Sequence, residues 1–127
     1  MQQDQGLFDA INTYFDALYY CDTERLDKVF HPASSLFDGD QGKVFVDPIA
    51  NFRADVGSRP SPASINQERQ QEIIMIDWLS ANAATVKVRL RSLQNIFVDH
   101  LCLVKTEDNW QIVSKVWHLE GPAWGNK

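Results

Sequence analysis

The segment from Phe97 to His118, FVDHLCLVKTEDNWQIVSKVWH, carries ionisable side chains within an otherwise apolar stretch. Asp99 and His100 stand side by side near its start, and Lys115 and His118 stand near its end. A carboxyl group and an imidazole can move protons to and from a bound molecule, so Asp99 and His100 are candidates for acid–base chemistry. A cationic partner across the segment would instead keep Asp99 ionised, and either Lys115 or His118 could be that partner.

Metal chemistry is not predicted. His31, His100 and His118 fall on different predicted elements, without the short spacings that metal-binding motifs use. The sequence has no Gly-rich phosphate loop, no nucleophile elbow and no His-Glu-x-x-His motif, and nothing in it predicts a cofactor.

Three helices precede most of the strands. Residues 5–20 have apolar side chains at spacings of three and four, which predicts an amphipathic helix with a buried stripe: Leu7, Phe8, Ile11, Phe15, Leu18 and Tyr19. A second, short helix is predicted after a cap at Asp22 or Thr23. The third is predicted to have Asp47 as its N-cap, Pro48 as its first residue and Gly57 as its stop.

The remaining segments have the composition and alternation of strands. SSLFDGDQGKVFV predicts a hairpin, and ATVKVRLRSL alternates apolar and basic residues from position 84. The predicted order is α-α-β-β-α-β-β-β-β in one domain over 1–127, with 119–127 as a tail. Early helices followed by a long meander indicate an α+β fold, with helices packed on a strongly curved antiparallel sheet.

The composition indicates which binding partners and which cellular location to expect. The 127 residues carry 12 Lys and Arg against 17 Asp and Glu, a net charge of −5, which disfavours binding to nucleic acid. The first residues lack the pattern of a secretory signal, and no apolar run reaches the ~20 residues that a membrane helix needs. Two widely separated cysteines fit a reducing compartment, so we expect a cytoplasmic protein without membrane partners.

The last two strands predict an interface. Phe97, Leu101 and Leu103 fall on one alternation and Cys102 and Val104 on the other, so both faces of this hairpin are apolar. A sheet with one solvated face would show a polar alternation. Helices can cover one face, and we expect a second copy of the chain to cover the other, giving a homodimer through the outer sheet face.

Nearly the whole chain resembles the nuclear-transport-factor-2-like superfamily, which includes ketosteroid-isomerase-like and SnoaL-like proteins. INTYFDALYYCDTERLDKVFHPASSLFD is similar to the superfamily's opening helices and first strand, and DHLCLVKTEDNWQIVSKVWH to its closing hairpin. Within the superfamily, FHPAS, VDHLCLVK and WQIVSKVWH resemble the small bacterial proteins labelled "putative lumazine-binding". The resemblance implies a cone-shaped cystatin-like α+β domain with a pocket between helices and sheet.

A narrower resemblance, to ketosteroid isomerases, implies roles for three residues. A Tyr on the first helix and a protonated Asp on a late strand form an oxyanion hole in that family, and they match Tyr14 and Asp99 in order and spacing. The family's base, an Asp after the second helix, matches Asp38. Other interpretations stay open: Asp38-Gly39 is typical of a turn, Tyr14 of a core aromatic, and Asp99 of an ion pair.

Three functions follow from these patterns. The first is a pocket that binds a small, largely apolar ligand, with a lining drawn from Tyr14, Tyr19, Phe30, Trp78, Asp99, Trp117 and His118. The second is a cofactor-independent isomerase or dehydratase that uses Asp99 and Tyr14, with Asp38 or His100 completing the acid–base set. The third is a dimeric interaction domain that uses the outer face of the sheet.

Overall fold

The elements of the fold follow the predicted order. The computed structural model describes residues 4–107 and 109–123. Its helices and strands are α1 (Gln5–Tyr20), α2 (Thr23–Val29), β1 (Phe30–Asp38), β2 (Phe45–Pro48), α3 (Ile49–Ser58), β3 (Gln71–Ser80), β4 (Ala83–Ser92), β5 (Asn95–Thr106) and β6 (Asn109–Pro122). A short 3-10 turn at Ala63–Ile65 precedes β3. The predicted α+β class is confirmed.

Helix α1 forms where its apolar period predicts it. Asp4 caps its start by accepting a hydrogen bond from the Gly6 N–H at 2.8 Å. Cys21 ends it in the left-handed region, with φ 49°. The buried stripe runs along the side that faces the sheet: Leu7, Ala10, Ile11, Tyr14, Phe15, Ala17 and Leu18. This stripe positions Tyr14 against the late strands.

The six strands form one curved, unclosed sheet in the order β2-β1-β6-β5-β4-β3. Strands β3 to β6 are an antiparallel meander, as predicted. The expectation of a purely antiparallel sheet is wrong, because β1 runs parallel to β6, with Leu36 opposite Lys115. The chain crosses from β1 to β6 through most of the domain, which allows two adjacent strands to share a direction.

The helices cover one side of the sheet, called here the inner face. The core between them contains the alternate residues of β4, Val86, Val88 and Leu90, together with Leu101 and Leu103 of β5. The opposite side, the outer face, presents the intervening residues, and their burial alternates accordingly along β4 and β5. Whether a residue occupies an odd or an even position along its strand (its parity) therefore decides whether its side chain faces the helices.

A β-bulge in β6 changes that parity. Leu103 pairs with Ile112 and Cys102 pairs with Ser114, so Val113 is an extra residue in β6. Ile112 and Lys115 both lie on the inner face although they are three positions apart. The bulge thus turns Lys115, and with it Trp117, toward the helices.

Two predicted boundaries differ from the structure. Asp47 is not the N-cap of α3, because it belongs to β2 and pairs with Leu36; Pro48 occupies the cap position without a side-chain hydrogen bond. Residues 119–122 are not a tail, because β6 continues to Pro122, with Gly121 opposite Ile96. The rest of the predicted tail, 124–127, lies outside the described residues. In the described ranges, none of the helices combines the length and apolar character needed to span a bilayer.

Candidate functional site

A cavity of about 180 Å³ opens between α1, α3 and the inner face of the sheet. Its walls are largely apolar, with several charged groups: Leu18, Asp47, Phe52, Asp55, Arg59, Leu90, Ser92, Phe97, Asp99, Lys115 and Trp117. Apolar concave sites with a few placed polar groups are typical ligand sites. A cavity of about 150 Å³ is enough to hold benzene, so this one matches a ring of similar size with substituents.

Three side chains form a buried cluster at the base of this cavity: Tyr14 on α1, Asp99 on β5 and Lys115 on β6. The Tyr14 hydroxyl donates a hydrogen bond to Asp99 Oδ2. Lys115 Nζ lies 3.8 Å from the same oxygen, beyond hydrogen-bonding distance but within range of an ion pair. Asp99 is 1% exposed and Lys115 is 5% exposed. Asp99 therefore accepts a hydrogen bond from Tyr14 and has the positive charge of Lys115 beside it.

The ammonium of Lys115 is surrounded by aromatic rings. Nζ lies 4.6 Å from the ring centroid of Phe52, 5.3 Å from that of Tyr14 and 6.0 Å from that of Trp117. Cation–π contacts at these distances compensate part of the loss of water. Burial nevertheless dominates and lowers the pKa of Lys115, against the opposing effect of the Asp99 carboxylate. The amine is therefore easier to deprotonate than an ordinary lysine.

The other oxygen of Asp99, Oδ1, is buried and has no hydrogen-bond partner among the described residues. A buried acceptor without a donor costs about 1–3 kcal/mol, so its presence calls for an explanation. Asp99 lines the cavity, and a ligand N–H or O–H placed there would satisfy Oδ1. The cluster therefore offers an entering molecule one vacant acceptor and one cation.

Charged groups from α3 and β2 line another part of the cavity. Arg59 Nη1 lies 3.2 Å from Asp55 Oδ2, and the guanidinium lies 5.9 Å from the Phe52 ring centroid. Burial, and then the negative charge of Asp55, raise the pKa of Asp47, while Lys115 opposes this rise. These groups give the cavity both signs of charge in addition to the buried cluster.

Three of the residues proposed from the sequence come together at this site. Asp99 and Trp117 are opposite each other in the β5–β6 register and both line the cavity. Tyr14 reaches the site through its hydroxyl on Asp99. Phe30 lies behind them, 1% exposed, with its ring 5.9 Å from that of Tyr14, so it supports the tyrosine and is not in the cavity lining.

His100 and His118 lie elsewhere, which corrects the expectation that they belong to the site. His100 follows Asp99 on the strand and is exposed on the outer face, where both histidines border a surface groove. His118 Nδ1 is 2.7 Å from Asp40 Oδ1. This contact raises the pKa of His118 and lowers that of Asp40.

Asp38 also lies outside the cavity lining. Its Oδ1 accepts a hydrogen bond from the Asp40 N–H at 2.8 Å, as expected if Asp38-Gly39 forms a turn. Asp38 is therefore not placed to act as the base of an isomerase in this cavity. With Asp38 and His100 both elsewhere, neither completes the predicted acid–base set with Tyr14 and Asp99. Tyr14 and Asp99 do meet, as the resemblance implied, but the proton of Tyr14 is directed at Asp99 itself.

Tyr19 and Trp78 have structural contacts away from the cavity. The Tyr19 hydroxyl donates to the Gln67 carbonyl at 2.6 Å, and its ring carries the Arg69 guanidinium at 4.4 Å. Trp78 packs edge-on against Trp110, with ring centroids 5.9 Å apart. Both predicted pocket aromatics thus stabilise the domain at other positions.

Sequence reasoning missed most of the α3 contribution. Phe52 and Asp55 fall on one side of that helix and Arg59 follows its end, at spacings of three and four, a signal that was present in the sequence. Lys115 was considered as a partner of Asp99, but not as a group that lines the cavity. In the described part of the chain, no group of three or more His, Cys, Asp or Glu side chains is placed to bind a metal ion.

Comparison with known families gives one match over most of the sequence. A family profile described as "Putative lumazine-binding" matches residues 2–118. A search of curated proteins returns no match.

Solved structures share the fold. An NTF2-like protein of unknown function from Methylobacillus flagellatus is 25% identical with a TM-score of 0.78, over 92% of this chain and 91% of that one. One from Silicibacter pomeroyi, also of unknown function, is 21% identical with a TM-score of 0.80, over 91% and 94%. A ketosteroid isomerase-like protein from Erwinia carotovora is 14% identical with a TM-score of 0.69, over 93% and 96%.

Proposed function

Because this chain belongs to the "Putative lumazine-binding" family of the nuclear-transport-factor-2-like superfamily, we propose that its cavity binds one compact ring molecule. The observation that carries the proposal is the vacant Oδ1 of Asp99 beside the Lys115 ammonium, both buried at the base of the cavity. A ligand with an adjacent N–H and C=O could donate to Asp99 and accept from Lys115. Its ring would lie against Trp117 and Phe52.

Cavity size limits the ligand. About 180 Å³ accommodates one ring with substituents or a flat pair of fused rings, and it is far too small for a four-ring steroid. Pteridinediones, the chemical class of lumazine, are flat fused pairs with lactam edges of the required kind. They are therefore the first ligands to test, together with single-ring lactams and aromatic amides.

Thermal unfolding with a ligand panel tests the proposal. A ligand at about 100 times its Kd stabilises the folded chain by about 2.7 kcal/mol, which raises the Tm by several degrees. Asp99→Asn should weaken the binding of a lactam at least about tenfold, because the amide no longer supplies two acceptor oxygens. His100→Asn, one position along the strand on the outer face, is the matched control and should bind normally.

Two results would count against this assignment. If no compact ring compound shifts the Tm at millimolar concentration, the cavity is not a site for this class. If a ligand binds Asp99→Asn and the unmodified chain equally, it does not use Oδ1. The first result would shift the assignment toward the interaction domain.

We also propose that the outer face pairs with a second copy of the chain. Val104, Val113 and Val116 are 37%, 36% and 50% exposed on β5 and β6, near the middle of the sheet, and the helices cover only the other face. Sedimentation velocity at micromolar concentration should show a dimer. Val116→Lys should give a monomer, whereas Glu24→Lys on the exposed surface of α2 should not; a monomeric unmodified chain would refute the pairing.

A reducing compartment remains part of the proposal. Cys21 and Cys102 are both free thiols, and they lie on different elements. This state supports the cytoplasm as the location. Mass spectrometry of protein alkylated on cell lysis should find both cysteines in the thiol form.

A further inference from the structure

The buried cluster contains a group that the binding proposal uses only as a cation. Lys115 lies in the cavity wall, lacks hydrogen-bond contact with Asp99 and is enclosed by three aromatic rings. Nucleophilic lysines that condense with carbonyl compounds occur in such desolvated pockets, because the amine must be neutral to react. A carboxyl group beside the amine can carry protons during condensation.

We propose that Lys115 forms a reversible imine with a compact aromatic aldehyde or ketone that enters the cavity. This inference rests on the proposed function, since the carbonyl compound must first occupy the site. It adds a covalent step and a ligand class to that function.

The reaction balances without an oxidant or reductant. The nitrogen lone pair of neutral Lys115 attacks the carbonyl carbon, and the electron pair of the C=O bond moves to oxygen, giving a carbinolamine. Asp99 moves one proton from the ammonium nitrogen to the alkoxide oxygen of this zwitterionic carbinolamine, and then moves the remaining N–H proton to the resulting hydroxyl, which makes water the leaving group. The C–O bond then breaks, water leaves, and a C=N bond joins Lys115 to the ligand. Asp99 ends in the protonation state in which it began.

The surrounding groups all act on the charge of Lys115. Burial lowers its pKa most; Arg59, just after α3, acts in the same direction, and Asp99 of β5 and Asp47 of β2 oppose both. Tyr14 of α1 directs its hydroxyl proton at Asp99, and burial with the Asp99 charge raises the pKa of that phenol, so it remains neutral. Because the effect of burial outweighs the two carboxylates, a larger fraction of Lys115 than of an exposed lysine is in the neutral amine form near neutral pH.

Reductive trapping tests the imine. The full chain is incubated with benzaldehyde and sodium cyanoborohydride near pH 7, and the adduct is located by intact-mass measurement and peptide mapping. We expect benzylation of Lys115 severalfold faster than of Lys28, which is exposed on α2, because burial lowers the pKa of Lys115 and leaves more of its amine neutral. Adducts spread over exposed lysines, with Lys115 unmodified, would overturn the proposal.

Two substitutions separate reactivity from folding. Lys115→Arg keeps a cation in the cluster but has no primary amine, so the fast adduct should disappear while the circular dichroism spectrum is unchanged. Lys28→Arg is the matched control and should retain the fast adduct. If Lys115→Arg fails to fold, the pH dependence of benzylation in the unmodified chain tests the proposal instead. The rate at Lys115 relative to Lys28 should fall as pH rises toward 10.5, the ordinary lysine value, and a constant ratio would overturn the proposal.

A non-reactive analogue distinguishes this inference from the binding proposal. Benzamide has the ring and carbonyl of the probe but does not condense with amines. If benzamide raises the Tm and benzaldehyde fails to label Lys115, the imine is wrong and ligand binding stands. If neither benzamide nor any other compound of the ring panel raises the Tm and benzaldehyde labels only exposed lysines, both proposals are wrong.

Discussion

Asp99 and His100 are neighbours in the sequence, yet one is buried in the protein and the other is exposed to water. Asp99 is 1% exposed on the inner face and contacts Tyr14 and Lys115, whereas His100 is exposed on the outer face beside a groove. The same contrast separates Lys115 from His118 on β6. Charges in the protein interior interact strongly, and an unpaired polar group there destabilises the fold, whereas water screens charges on the surface. Sequence proximity therefore says little about shared chemistry in a strand.

The largest expected difference between the two faces concerns the lysines. Lys115→Met leaves the Asp99 carboxylate buried without its cation, and we expect a loss of about 3–5 kcal/mol in the free energy of unfolding. Lys87→Met, on the outer face opposite His100, should change it by less than about 0.5 kcal/mol. Urea denaturation measures both.

A double variant sharpens this result. Asp99→Leu combined with Lys115→Met removes both charges and should recover most of the stability lost in Lys115→Met. A loss in the double variant equal to the sum of the losses in Lys115→Met and in Asp99→Leu alone would show that the Asp99–Lys115 pair is not coupled.

A smaller difference is expected for the tyrosines of α1. Tyr14→Phe removes the hydroxyl that donates to Asp99, and a hydrogen bond to a charged group contributes about 1.5–3 kcal/mol. Tyr20→Phe, at a residue 48% exposed, should cost less than about 0.5 kcal/mol. Chemical denaturation of both variants provides the test, and similar losses would contradict the importance of the buried hydroxyl.

The smallest effect is expected from His118 and Asp40 in solvent. Asp40 raises the pKa of His118 above 6.5, so the contact stabilises the fold fully below pH 6.5 and is lost as pH rises through the raised value. The lowered pKa of Asp40 ends the stabilisation as pH falls below 3.8. The Tm difference between the unmodified chain and His118→Gln should be larger near pH 5 than near pH 9; an equal difference at both would contradict the assignment.

The fold was predictable because its signals are local and repeated. The alternation of Val86, Val88 and Leu90 sets the inner face of β4, and the spacing of Leu7, Ile11 and Phe15 sets the buried stripe of α1. Each signal depends on only a few successive residues. The family resemblance then supplied the fold, and the comparisons confirm it.

The site was less predictable because it depends on register. Adjacent strand residues such as Trp117 and His118 cannot both face the helices, yet both were candidates for the lining. The extra residue at Val113 decides between them, and bulges have no strong sequence signature. Asp47 was misassigned for a related reason: Pro48 favours a helix start whether or not the preceding residue caps it.

The bulge at Val113 also has a consequence for redesign. If Val113 instead paired in register, β6 would alternate without a break from Trp110 and Ile112, so that Ser114, Val116 and His118 would face the helices. A hydroxyl, a methyl pair and an imidazole would then replace the amine and the indole, without any substitution. The backbone conformation at Val113 is thus a control on the chemistry that the domain can present, separate from its amino-acid types.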